Sequence, residues 1–431
     1  MRLRTHIIRL FFGTGLIKIL TLIRELTTAY YLGTSFIKDG FVASFALAFL
    51  LFTPFTDILE KSTLPLYLKW KNAPQTAGLV LIQFAILGAL VAAAAWLFRT
   101  PLLTHLFDGV GPASLLIAIT QFQWMLGVAA LFSAALFLAQ ILNAHHHYLW
   151  SESRNLVLSV GVMAALIFDW SIGSTPAIFV GYGIGMAGGI ALLIGVAAKV
   201  QLIALPRRSD WQTLWPDTKH YWQKGSWIGV LALIGIVPGL LSQSILAAFG
   251  PAQLAAHDYA TRLTSFFVAM TVPAVATPLF TKLAHLEKQN EFPLRLLIKI
   301  VAGFLLGFGV FFVGFHLWGR PVMNFILLRG AFDAQSMSLT FPFFYYYCAQ
   351  FGLQAVMMVL NFVLMAYHKF GLFFWTNALR FAVFLAALLV GQSVVGPQIV
   401  PIAIAVSTAV MIGVQGVFLW RMIRQWGYTA V

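Results

Sequence analysis

The sequence predicts an all-α polytopic membrane protein: twelve transmembrane helices in two six-helix lobes, related as parallel repeats around a central cavity, with both termini cytoplasmic. Three observations carry that prediction. Of 431 residues, 60% are hydrophobic and only 9% are charged, an excess of apolar residues that belongs to membrane proteins. The apolar stretches recur at lengths near those that cross a bilayer. Two motifs from the first half also return in the second at nearly the same offset. Pro65-Leu66-Tyr67-Leu68-Lys69 returns as Pro278-Leu279-Phe280-Thr281-Lys282, and Leu142-Asn143-Ala144-His145-His146-His147-Tyr148 as Leu364-Met365-Ala366-Tyr367-His368-Lys369-Phe370. The repeat divides the chain into an N-terminal lobe, 1–203, a cytoplasmic interfacial linker, 204–226, and a C-terminal lobe, 227–431.

The first span, 7–32, is the most informative. It is apolar, yet it carries Lys18, Arg24 and Glu25 at membrane depth. A charge at the centre of a membrane helix costs about 2.5 to 3.5 kcal/mol on insertion scales, so these must face a polar interior. Thr14, Lys18, Thr21, Glu25 and Thr28 recur every three or four residues, which places them on one stripe, with Arg24 flanking it. The span is too long and too charged for the apolar core of a signal peptide, so it is expected to remain in the mature protein.

Asp39 opens the second span, 40–60; the third, 77–98, is Ala-rich and offers packing. The fourth, 113–142, runs into His145, His146 and His147, which point in different directions on a helix and read as a polar headgroup-level loop. Spans 155–170 and 177–202 follow, the latter with Gly181, Gly185 and Gly189 at the small-xxx-small spacing that lets helices approach closely. The linker mixes Trp, Tyr and basic residues, as an interfacial segment does. Span 227–249 precedes 253–281, where His257, Asp258, Thr261, Arg262 and Ser265 crowd one side. Spans 295–317, 338–367, 371–391 and 397–420 complete the set, with an aromatic run, Phe341 to Tyr347, expected at the membrane interface. The single cysteine, Cys348, reads as a small core residue.

The net charge of +14 does not indicate nucleic acid, because the basic residues scatter at helix ends. They obey membrane topology instead. With the N-terminus inside, the outer segments hold only Lys38, Arg99, Arg320 and Arg329, whereas Arg154, Arg207, Arg208, Lys224 and most others fall inside. Arg262, in the second lobe, is expected to face Lys18 and Arg24 across the cavity, with Arg380 a further candidate. Such a cluster suits a phosphate or pyrophosphate, whose oxygens match guanidinium forks. A multidrug antiporter would want acids in the cavity, and an enzyme acting on lipid-linked sugars a large outer loop rich in acids or histidines. Here the cavity-facing charge leans positive, and the longest outer segments carry just Asp108 and Asp333.

Several stretches resemble the MurJ/MviN family of lipid II flippases, within the superfamily of multidrug, oligosaccharide-lipid and polysaccharide exporters. They are Arg24-Glu25, Leu32-Gly33, Asp39 with Phe41-Val42-Ala43-Ser44-Phe45, Leu142-Asn143-Ala144, Tyr259-Ala260-Thr261-Arg262-Leu263 and Arg329-Gly330-Ala331-Phe332-Asp333-Ala334. The resemblance implies a transporter without chemical catalysis, located in the bacterial inner membrane. It would carry an undecaprenyl-pyrophosphate-linked saccharide to the outer leaflet by alternating access. Lys18, Arg24 and Arg262 match the family's substrate positions and Asp39 a position also implicated in transport, while Glu25, Asp39 and Asp258 are expected to act as charge partners or in gating. No cofactor or metal is expected; membrane potential or a monovalent cation would supply the energy. The expected partners are the lipid-linked saccharide and membrane lipids, without nucleic acid, and the expected state is a monomer. Three departures stand out: Phe52-Thr53 lies where the family usually has an Arg, spans seven, eleven and twelve lack Asp and Glu, and twelve helices replace the fourteen of many members. A short member of this kind could serve a Wzx-type exopolysaccharide or O-antigen repeat-unit pathway instead.

Overall fold

The computed structural model describes residues 3–145, 147–266, 279, 283, 291–292, 294–367, 369–425 and 429–430. These residues are nearly all helical. In order they form α1 (Leu3–Leu32), α2 (Phe36–Tyr67), α3 (Ala73–Leu97), α4 (Arg99–Phe107), α5 (Pro112–Ala144), α6 (Tyr148–Ile167), α7 (Ala177–Lys199) and α8 (Trp211–Ala248). Helix α9 covers residues 253–266, followed by α10 (Leu294–Leu327), α11 (Ala334–Ala366), α12 (Phe370–Val395) and α13 (Ile399–Gln425). A short parallel pairing joins Glu291–Phe292 to Thr429–Ala430. Eight segments among the described residues are long and apolar enough to cross a membrane, and the last of them, Gly371–Arg421, contains both α12 and α13. The chain is a multi-pass membrane protein. Each predicted span falls on a helix, although most of 267–281 lies outside the described residues, as do His146, His368 and, apart from Leu279, the repeat motif at 278–282.

The chain forms two compact units, Met1–Ala255 and Ala256–Val431. In the first, α2 packs on α5 and α8, and α6 on α7 and α1. Glycines set the α6–α7 spacing: a Cβ on Gly185 would lie 2.9 Å from Leu158 Cα, and one on Gly161 only 2.7 Å from Gly185 Cα. The glycine stripe read from the sequence therefore packs helices.

The unit boundary falls later than the linker expected at 204–226, for a reason visible in α8. That helix begins at Trp211, inside the segment read as a linker, and its early turns pack on α2 and α3. Tyr221, fully buried, shares a 3.0 Å hydrogen bond with Thr63, and the Trp222 indole N–H donates to Gln83 at 2.7 Å. Gly225 and Gly229 let the α8 backbone close on Ile58.

In the second unit α11 packs with α10 and α13, and α12 with α13. Its surface is apolar: α10 turns Leu306, Val310, Val313, Leu317 and Phe325 outward. Polar groups lie inside, where Gln415 of α13 donates to Asn361 at 2.9 Å and Thr376 at 3.1 Å. Apolar outside and hydrogen-bonded inside is the arrangement a bilayer selects. The aromatic run lies within α11, where Phe343, Phe344 and Tyr347 are buried and Tyr346 is exposed, because successive helical residues point to different sides.

Candidate substrate-transport site

Helix α1 has the inverted polarity its sequence predicts. Leu16, Ile19 and Ile23 are exposed, whereas Arg24, Glu25 and Thr28 are buried. The Thr21 and Thr28 hydroxyls donate to the carbonyls of Ile17 and Arg24 at 3.0 and 2.9 Å, so the stripe meets its own hydrogen-bonding needs locally. Arg24 binds its sequence neighbour Glu25 through Nε at 3.1 Å and Nη2 at 2.5 Å, both to Oε1. Its guanidinium carbon lies 5.6 Å from the centre of the Tyr182 ring of α7. Lys18 is half-buried and makes no ion pair among the described residues.

Asp39 has a different setting from the one expected. It sits in the first turn of α2, is 1% exposed, and accepts hydrogen bonds from the backbone N–H groups of Ala252 and Ala255, the latter at 2.9 Å. These amides open α9, after a turn in which Gly250 and Ala252 take φ of 108° and 70°. The first N–H groups of a helix lack intrahelical partners and carry its positive end, so a buried carboxylate is stabilised there. Asp39 thus anchors a helix start instead of holding a cationic side chain of the cavity. Lys38, read as an outer-loop charge, is also buried, with Nζ 5.2 Å from the Phe41 ring centre.

In the second unit, Arg262 Nε lies 2.7 Å from Asp258 Oδ1, one helical turn away, and both side chains remain partly exposed. The buried His257 Nε2 lies 2.6 Å from the Tyr347 hydroxyl, and its ring meets Phe343 edge-on at 5.5 Å. Arg380, on α12, is half-buried and makes no ion pair among the described residues. The segment Arg329–Asp333 forms the turn between α10 and α11. Gly330 supplies φ of 60°, Phe332 is buried against Tyr259, and Asp333 caps α11 by accepting from Ser336 N at 2.7 Å. Hydrogen bonds from the Ser336 amide and hydroxyl hold the Asp333 carboxyl below the usual carboxylate range.

The structure therefore joins Arg24 to Glu25 and Arg262 to Asp258, and leaves Lys18 and Arg380 apart from those pairs. Sequence reasoning did not place Tyr182 beside Arg24 or Tyr347 beside His257, because both are contacts between helices. It also counted Arg154 as a loop charge. Arg154 lies two turns into α6, is buried, and has its guanidinium carbon 5.9 Å from the Phe132 ring centre. Its distance from the end of the histidine loop was the available signal. His145 closes α5 edge-on to Tyr67, and no group of three or more His, Cys, Asp or Glu that could hold a metal ion occurs among the described residues.

Comparison with known proteins addresses the fold and the family. A search of curated proteins finds no match. Among solved structures, one described as lipid II flippase MurJ in an inward closed conformation superposes with a TM-score of 0.81 at 14% identity, covering 96% of this chain and 87% of the other. An inward-facing multidrug resistance MATE family transporter of the MOP superfamily gives 0.68 at 15% identity over 94% of each chain. The Vibrio cholerae MATE transporter VcmN in its bent form gives 0.60 at 19% identity over 97% of each. At these identities the likeness shows a shared transporter fold. The sequence itself matches the family described as lipid II flippase MurJ over residues 28–430. The chain belongs to the MurJ lipid II flippase family, whose members are transporters and not enzymes.

Proposed function

We propose that the protein moves an undecaprenyl-pyrophosphate-linked saccharide, lipid II or a closely similar precursor, from the cytoplasmic to the outer leaflet of the bacterial inner membrane. It works as a monomer of twelve spans with both termini inside, its two lobes alternating access between the sides of the membrane. The pyrophosphate is bound by Lys18 and Arg24 of one lobe and by Arg262 and Arg380 of the other. Glu25 and Asp258 orient the two paired guanidiniums and release them in turn as the substrate's phosphates compete for them. Asp39, by anchoring the start of α9, sets when that helix can move, and the membrane potential or a monovalent cation drives the cycle.

The observation that carries this reading is the inverted α1: a buried Arg24–Glu25 pair on a helix whose leucine and isoleucine face points outward. A purely structural membrane helix has no reason to keep charges that cost several kcal/mol to insert. The test is rescue of a bacterium depleted of its lipid II flippase, with membrane levels checked. Wild type should restore growth, while Arg24→Ala and Arg262→Ala should not. Failure of a well-expressed wild type would overturn lipid II as the substrate and transfer the assignment to an exopolysaccharide or O-antigen repeat unit.

A further inference from the structure

A second polar site lies within the first unit, between the C-terminal end of α2 and the early turns of α8. It is a cavity of about 440 Å³ lined by Ser62, Lys69, Trp70, Asp217, His220 and Lys224. Lys69, Asp217 and Lys224 form no ion pair among the described residues. Ser62 is 4% exposed and its hydroxyl has no hydrogen-bond partner among those residues.

The wall is preformed. Trp70 is buried edge-on to Tyr221 at 5.7 Å, and Tyr221 is fixed by Thr63. Leu66 and Ile228 supply apolar surface to the same cavity. Exposed Trp211 and Trp215 on the adjoining turns of α8, beside Arg207 and Arg208, have the composition of the membrane–water boundary. Cations, one carboxylate, a hydroxyl and an apolar wall at that depth form a defined chemical combination.

We propose that this cavity binds the headgroup of a membrane phospholipid that carries both a phosphate and a primary ammonium. Lys69 and Lys224, with His220, take the phosphate; Asp217 takes the ammonium; and the glycerol rests on Leu66 and Ile228. None of the residues assigned to substrate transport takes part, so the inference stands whatever saccharide the protein carries.

The test is lipid retention by the full-length protein, measured by native mass spectrometry in detergent with phosphatidylethanolamine or phosphatidylglycerol added. Wild type should retain phosphatidylethanolamine preferentially, and Lys69→Gln/Lys224→Gln should weaken retention roughly tenfold or more. Lys199→Gln, at the exposed end of α7, should leave it unchanged. Asp217→Asn keeps the cations and should abolish the preference for phosphatidylethanolamine over phosphatidylglycerol, which tests the site even if the double variant does not fold. Equal retention by wild type and a folded double variant overturns the proposal. So does an unchanged preference in Asp217→Asn. Displacement of the lipid by inorganic phosphate at matching concentration overturns it as well, because the site would then belong to a soluble anion.

Discussion

Two ion pairs sit on two charged helices, and the protein holds them in different ways. Asp258 and Arg262 are four residues apart on α9, where helical geometry alone brings their side chains together, and both remain partly exposed. Arg24 and Glu25 are adjacent in sequence, and consecutive residues on a helix point in different directions. Their pairing at 2.5 Å, in a buried setting beside Tyr182, requires the surrounding helices to turn the two side chains toward each other. The first pair can form on an isolated helix. The second exists only in the folded protein, and its stability is tied to the packing of α1.

The comparison is broken most severely at Glu25. Removing one member of a buried pair strands the other charge, so Glu25→Ala should cost about 3 to 5 kcal/mol, read as loss of thermal stability in detergent. Arg24→Ala/Glu25→Ala should cost clearly less than the two single changes together, and full additivity would show that the pair is not coupled. Asp39→Ala comes next. It removes the carboxylate from the start of α9 and should cost about 1 to 2 kcal/mol by the same measurement. An unchanged melting temperature would show that water replaces the cap without loss. The smallest effect belongs to Asp258→Ala, about 0.3 to 0.5 kcal/mol, because an accessible pair one turn apart is largely replaced by solvent. If Asp258→Ala destabilised as strongly as Glu25→Ala, the contrast between the two pairs would fail.

A similar contrast separates α1 from α10. Both are long and apolar, but α10 shows its leucines, valines and aromatics to the outside along most of its length, whereas α1, over residues 15–32, buries Arg24, Glu25 and Thr28 and exposes Leu16, Ile19 and Ile23. Charge patterning distinguishes them before any packing is known. The carboxylate in the first turn of α2 is the opposite case: nothing in its own segment indicates that the amides it caps lie more than two hundred residues onward.

Composition and spacing determined the helical membrane fold, the inverted polarity of α1, the glycine contact of α7 and the pairing of Asp258 with Arg262. All of these depend on residues within a few turns of one another or on the transfer of a whole segment from water to lipid. Tertiary structure alone decided that Arg24 turns to Glu25, that Asp39 caps α9, that Arg154 is buried and that α8 packs with the first unit. Each depends on packing between elements distant in sequence, where close packing and the need to satisfy every buried polar group select one arrangement among many that the local pattern permits.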